Sequence, residues 1–321
     1  MDSNALLTRK NIESNLPRIM GLAAGLPVKR DRSDILSDYR HDSLDSLAGL
    51  AGYPNPRQNR DWAQLMSASL TKVITSNFWP VYQSRLDQCA GIIPLENFKD
   101  TTIATIAPPD LHEVFEDQEP IFSPLTATTT TGKIRSFESI MRVSTQVWST
   151  LGADLVRAVS GLSQNIYALH LQLIAECLQG ITFTADNSSG NSLVIAAGLP
   201  ALATGLDGAL ASLERRYCTG AVIITAPGQT ASASMAIKEC GLNITVIANP
   251  FLTASEWYLL PSPAEKTVIG RLVLISDAFN GAGNPAIQWT KIDNQRYGYY
   301  CPVDVGYSAI NTDCIYRGGV E

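Results

Sequence analysis

Charge is scarce in this chain. Asp, Glu, Lys and Arg make up 17% of its 321 residues, where about a quarter is usual for a globular domain. Either the core is large, or much of the surface is covered, with self-association the obvious cover. Basic residues are outnumbered 24 to 30, and the net charge is −6. A dedicated nucleic-acid binder carries a basic patch. The basic cluster of Lys29, Arg30 and Arg32 alternates with Asp31 and Asp34, and reads as a solvated segment rather than a phosphate clamp.

Chemistry-bearing patterns are equally thin. His41, His112 and His170 lie far apart, none in HExxH or beside a GxSxG serine. The six cysteines, Cys89, Cys177, Cys218, Cys240, Cys301 and Cys314, include no CxxC pair, which argues against zinc. The apolar run from Leu193 to Leu206 is broken by Gly198, Pro200 and Gly205, too short and interrupted to cross a bilayer. The opening MDSNALLTRKNIESN has no apolar segment of the signal-peptide kind, so a reducing cytoplasm is expected. The glycine-rich FNGAGNP at 279–285 lacks a GKS/T ending and precedes a strand, whereas a phosphate cradle needs a helix N-terminus behind it. It reads as a turn. The carboxylate pairs Glu113/Glu116 and Asp117/Glu119 do not match calcium-loop spacing. No catalytic residue, metal ligand or cofactor is expected.

What is present is patterning. In RYGYYCPVDVGYSA, Tyr297, Tyr299, Cys301, Val303, Val305, Tyr307 and Ala309 alternate with period two, the signature of a strand pair with one buried face. Pro302, on the opposite register, implies an edge strand or a bulge. Val147, Leu151, Leu155, Ala158, Leu162, Ile166, Leu169, Leu173 and Cys177 recur at helical spacing. That stripe predicts a one-sided helix of roughly 46 Å, at ~1.5 Å per residue, stopped near Gly180. Gly152 and Gly161 within it offer close packing or a bend, and His170 falls off the stripe, facing solvent or a partner.

Residues 1–58 are polar with weak periodicity, and read as an extended arm with one or two short helices, or as a tail. Asp61 is expected to cap a helix to about Thr75, with Trp62, Leu65, Met66, Leu70 and Val73 on one face. Residues 76–98 are mixed, with Trp79-Pro80 an extended turn. In 100–146, DTTIATIAP and KIRSFESIMRVS are β-prone limbs around a stretch rich in Pro, Thr and acidic residues. A long two-stranded ribbon there is marginal alone in water, and so implies a partner surface in this chain or the next copy. Exposed Glu113, Glu116, Asp117 and Glu119 would meet a basic patch on that copy, or Arg135 and Arg142 within the ribbon. Residues 181–285 alternate: a helix face of Leu202, Leu206, Leu210 and Leu213, the strand AVIIT, a helix ending at Gly241, then NITVIAN and EWYLL. That is an α/β subdomain; further strands at 267–276, 286–293 and 296–316 follow.

Arm, ribbon, long helix, α/β segment and returning strands stand in the order of the HK97-like major capsid proteins of tailed bacteriophages, which the chain resembles over nearly its whole length. The phrases that carry the likeness are NPFLTASEWYLLPSP (249–263), PAIQW with the closing RYGYYCPVDVGYSAINTDCIYRGG, and the ribbon pair FKDTTIATIAPPDLHEVFEDQEP and GKIRSFESIMRVSTQVW. They look most like the Mu-like prophage group. The resemblance implies an α+β fold with an N-terminal arm (1–58), a first part of a peripheral domain (59–99), an E-loop ribbon (100–146), a spine helix (147–190), an axial domain (191–282) and closing peripheral strands (283–321). It implies a spine-helix core of Leu151, Leu155, Leu162, Ile166, Leu169 and Leu173, and a ribbon meeting its neighbour through Glu113, Glu116, Asp117, Glu119, Lys133 and Arg135. The implied function is self-assembly through pentamers and hexamers into an icosahedral head enclosing double-stranded DNA. Portal, scaffolding and cement proteins are the implied partners, with assembly in the host cytoplasm and no membrane. Some relatives crosslink a ribbon lysine; Lys133 is the lysine in the ribbon proper, but no buried acid to accept its proton is evident. An encapsulin-type cargo shell, or an α/β enzyme with its site in 191–285, is the alternative.

Overall fold

A computed structural model describes residues 3–26, 43–106, 127–141, 143, 152–182, 221–239, 241, 243–253, 256–275, 284–293 and 296–318. The chain forms two compact units that interleave in sequence. The first comprises Met1–Ser84, Ser136–Leu169 and Gly283–Asp304; the second comprises Arg85–Arg135, His170–Ala282 and Val305–Glu321. Both contain helix and sheet, in keeping with the α+β class.

The first unit is built on helices α1 (Ser3–Ala23), α2 (Leu44–Leu50) and α3 (Arg60–Val73). The expected extended arm is therefore a 21-residue helix over Ser3–Ala23. Ile12, Leu16, Ile19 and Met20 recur at helical spacing and are buried in one core with Leu44, Leu47, Trp62, Met66 and Leu70. Arg9 seals its edge: it donates to Glu13 Oε1 at 2.7 Å and to the Tyr53 hydroxyl at 3.1 Å, and its guanidinium stacks 4.7 Å from the Tyr53 ring. The cap of α3 is Asn59, not Asp61. Its side-chain oxygen accepts from the N–H groups of Asp61 and Trp62, while Asp61 lies in the first turn, where a carboxylate suits the helix dipole. The predicted α3 face holds, with Trp62, Met66, Leu70 and Val73 buried and Leu65 half-buried.

Beyond α3 the chain stays helical. A five-residue π-helical turn, Ile74–Phe78, leads into α4 (Trp79–Cys89). Trp79-Pro80 is thus not an extended turn. Pro80 stands second in α4, directly after the π-helical turn, where the wider turn accommodates a residue that cannot donate to the helical ladder.

Helix α5 (Ala153–Gln179) has 27 residues rather than the expected longer span. Gly152 has φ +80°, a left-handed conformation that cannot continue a helix through this point. Leu155, Leu162, Ile166 and Leu173 are buried as expected, Leu169 is half-buried, and Ala158 is exposed; Val147 and Leu151 lie outside the described residues. A Cβ built on Gly161 meets nothing within 4 Å, so no close packing occurs there. From His170 onward the helix is not one-sided: His170, Leu171, Leu173, Ile174, Ala175 and Leu178 are all buried.

Strand β10 (Arg296–Ala309) is a single 14-residue strand, not a pair. Its first half pairs antiparallel with β9 (Gln288–Asp293) and its last residues, Gly306–Ala309, with β8 (Ile269–Leu274). Pro302 marks neither the expected edge strand nor a bulge: β10 has strand neighbours on both sides, and Pro302 falls between its pairing zones with β9 and β8. Tyr299, Cys301 and Val305 are buried as the alternation predicts, but Tyr297, Val303, Tyr307 and Ala309 are half-buried and Gly298, Gly306 and Ser308 of the opposite register are buried, so the burial is not confined to one face. In the first unit β10 also pairs with β4 (Arg135–Met141).

The second unit carries β1 (Gly91–Leu95), an element absent from the sequence reading, parallel to β8. A four-stranded sheet has the order β11-β7-β5-β6, from β5 (Ala221–Thr225), β6 (Thr245–Ala248), β7 (Trp257–Pro261) and β11 (Tyr316–Gly318). Helix α6 (Thr230–Glu239) joins the parallel pair β5 and β6, as an α/β unit requires, and Gly241 with φ +68° ends that segment. The expected Leu202–Leu213 helix face lies outside the described residues. Every residue of β7 is buried.

Candidate assembly surface

The second unit projects a separate two-stranded ribbon, β2 (Thr101–Ile106) against β3 (Ala127–Gly132), in six antiparallel pairs from Thr101↔Gly132 to Ile106↔Ala127. The limbs differ from those expected. TTIATI pairs with the threonine run, because an alternation of small β-branched residues suits a strand open on both faces. RSFESIM instead forms β4. None of the twelve ribbon residues is charged, and seven are threonine. Thr102, Ala104, Thr129 and Thr131 make one exposed face. Among the described residues neither ribbon edge pairs with a third strand. Natural edge strands are usually protected by charge, proline or a cover; this segment has neither of the first two.

The ribbon's root is firm. Ile134 is buried with Leu95 and Leu272, and Ile103 packs against that group. Lys133 pairs with Asp100 across the limbs at 3.4 Å. Arg135 does not serve the acidic tip: its Nη2 donates to Glu176 Oε2 on α5 at 2.7 Å. Glu113, Glu116, Asp117 and Glu119, with Arg142, lie outside the described residues. Glu176 and Asp100 were missed in the sequence. Glu176 sits on the exposed side of α5, four residues after Gln172, which donates to it at 2.9 Å; that spacing was the available signal.

Two polar networks hold the second unit together. Arg271 of β8 is 1% exposed and its Nη2 pairs with Asp87 of α4 at 2.7 Å. Beside it, His170 is buried, not solvent-facing, and its Nδ1 lies 2.8 Å from the Tyr307 hydroxyl. Burial, with Arg271 nearby, pushes the imidazole down to about 3, so the ring is neutral and shares a hydrogen bond with the phenol. Burial also pushes the phenol of Tyr307 up. The second network centres on buried Glu256. Its carboxylate accepts from the Thr253 N–H, from Gln179 and from Arg317 of β11, and Arg317 also lies over the Tyr258 ring. Asn249, at the head of NPF, donates to the Leu171 carbonyl on α5 at 2.8 Å and accepts from the Phe251 N–H at 3.0 Å. The phrase 249–263 is thus a structural corner.

Nucleophilic chemistry finds little footing in these groups. Burial pushes the thiols of Cys89, Cys177 and Cys301 up to about 12, leaving them protonated at neutral pH. Among the described residues no three His, Cys, Asp or Glu side chains converge on a metal-sized site. Nor is any described helix long and apolar enough to cross a membrane.

No family model and no curated protein matches the sequence. Solved structures do match. The capsid of a native GTA particle aligns with a TM-score of 0.51 at 9% identity, over 73% of this chain and 88% of that one. A Mycobacterium phage Bobi chain gives 0.49 at 11% identity, over 74% and 90%. A virus-like particle from Pyrococcus furiosus gives 0.48 at 12% identity, over 74% and 96%. The fold is the HK97-like capsid fold.

Proposed function

We propose that this chain is a shell subunit, the major capsid protein of a tailed phage or prophage of the Mu-like group, and not an enzyme. Copies assemble through pentamers and hexamers into an icosahedral head that encloses double-stranded DNA. In this reading residues 191–282 gather at the capsomer centre, the ribbon lies across the neighbouring subunit, and portal, scaffolding and cement proteins complete the particle in the host cytoplasm.

One observation carries the reading: a projecting ribbon of twelve uncharged residues, with neither edge paired among the described residues, on an HK97-like body. Six pairs of Thr, Ala, Ile and Gly bury little within their own chain, and an isolated two-stranded ribbon is marginal in water. A second copy supplies the missing surface. Modest affinity per contact suffices, because closing a shell multiplies contacts. A chain of net charge −6 suits a wall that does not adhere to its DNA.

Cryo-electron microscopy of particles from expressing cells tests this. Icosahedral shells whose density traces this chain, filled with DNA, are the expected result. Shells filled with protein would make it a cargo compartment. Small discrete oligomers alone, even with neighbouring genes co-expressed, would overturn the shell reading.

A further inference from the structure

The direction in which a ribbon leaves its subunit decides which surface it reaches, and here the junction between β3 and β4 carries that direction. Along this junction Gly132 and Ile134 are buried, while Lys133 and Arg135 face out. On the inner side the fit is tight. A Cβ on Gly132 would stand 2.6 Å from Leu272 Cδ1, and one on Gly306 of β10 would stand 2.0 Å from the Lys133 carbonyl oxygen. Only glycine at 306 allows β10 to support the junction by backbone contact. These inner contacts fix the point at which the ribbon emerges. A strand passing a fixed point can still swing about it, and an outer brace is needed to stop that swing.

Glu176 supplies the brace. One carboxylate oxygen accepts from Arg135 at 2.7 Å and the other from Gln172 at 2.9 Å, so both are engaged and the carboxylate is oriented. We propose that Glu176 is a positioning residue for the ribbon: braced on Arg135, it holds β2–β3 in the one direction a second copy of this chain accepts, and its release lets the ribbon swing off that surface. This rests on the shell reading and adds its control point. Arg135 from β4 is the charged group facing Glu176, and Gln172 from its own helix the neutral one. Lys133 and Asp100, the other charges at the root, are paired with each other.

The brace is built to open. Arg135 and Glu176 are about half exposed, at 50% and 46%, so salt screens them and the pair is a latch rather than a weld. The hydrogen bond from Arg135, then that from Gln172, holds the Glu176 carboxyl below its usual range. The brace is complete above the ordinary carboxylate pKa and is lost as pH falls through the lowered one.

The test uses the full chain at a concentration below assembly, with Cys218 and Cys240 replaced by serine and spin labels on Thr129→Cys and Lys238→Cys. The parent should give one narrow label-to-label distance. Arg135→Glu should raise the displaced population by up to about fivefold, the range open to an exposed ion pair. The double swap Arg135→Glu with Glu176→Arg should restore it. Acid or high salt should broaden the parent distribution, whereas Glu176→Gln should be broad already and insensitive to pH. An unchanged distribution in Arg135→Glu, or no recovery in the double swap, overturns the brace. Shell yield by electron microscopy separates the two ideas. A parent that makes no shells refutes the shell reading while the distances still decide the brace. A loosened Arg135→Glu chain that assembles as well as the parent refutes the brace's role alone.

Discussion

Strand β10 and the ribbon β2–β3 are of similar size, 14 residues and 12, and both draw on strand-forming residues, six Tyr and Val in β10 and nine Thr and Ile in the ribbon. They differ in what they bury. β10 places Tyr299, Cys301 and Val305 inside the body; the ribbon buries only Gly132 fully among its residues of assigned burial. Strand-forming residues therefore say where a strand will form, and the facing residues say whether its own chain is the partner. In the shell reading, the face the ribbon leaves open is the one a second copy covers.

The sharpest break of that comparison is to remove the ribbon. Joining Thr101 to Gly132 through a short Gly-Ser turn should abolish shells outright. Subunit stability should fall by about 1 to 2 kcal/mol, since among the described residues Ile103 is the one lost that packs on the group of Leu95, Ile134 and Leu272; shell counting and a thermal melt check the two halves. A longer cut over 105–135 would also take Ile134 from its core, and so would confuse assembly with folding. On the buried side, Leu162→Ala in α5 should cost ~2 to 5 kcal/mol by chemical denaturation, because Leu162 is 6% exposed and its cavity cannot fill from solvent. Asp87→Asn should cost about 1 to 3 kcal/mol, since it leaves the buried Arg271 guanidinium without its anionic partner. The half-exposed position of Asp87 keeps that figure below the one for a sealed pair.

A pH titration refines the comparison. His170 is held neutral down to about 3 in the fold, whereas the unfolded chain takes up a proton near 6.5. Its contribution is complete above 6.5 and declines as pH falls from there towards about 3. His170→Gln, which can still hydrogen-bond to Tyr307, should flatten that part of the stability profile. The smallest folding effect belongs to Thr129→Lys on the open ribbon face. It should leave stability within about 0.5 kcal/mol of the parent but weaken assembly, by placing a charge where none is.

These contrasts also explain what was legible in the sequence. Period-two alternation located β10, and helical spacing located α3, α6 and α5, because a buried face imposes its period on the chain. The same logic misplaced the ribbon's second limb. KIRSFESIM looked the better limb because it carries large apolar residues, yet it forms β4, which pairs with β10 while Ile140 stays exposed and Phe137 and Met141 are half-buried, and the plain threonine run was the ribbon. Helix α1 escaped notice because Ile12, Leu16, Ile19 and Met20 are diluted by polar neighbours and interrupted by Pro17. His170 lies off the stripe and is paired with Tyr307, the second of the two places the sequence left open, because the C-terminal half of α5 is enclosed on several sides. The brace between Arg135 and Glu176 spans 41 residues, and no local pattern announces a pair that only the fold brings together.

The open face of the ribbon has a consequence for how this protein diverges over time. Within the subunit, Leu95, Ile134 and Leu272 constrain one another by volume, so exchanges there should be rare and compensated inside one chain. Thr102, Ala104, Thr129 and Thr131 are under no such internal constraint; many β-forming residues would serve the fold equally. Whatever limits drift on that face is imposed from outside. In the shell reading, substitutions there should appear in step with changes on the surface that receives the ribbon, a covariation between regions held by different copies.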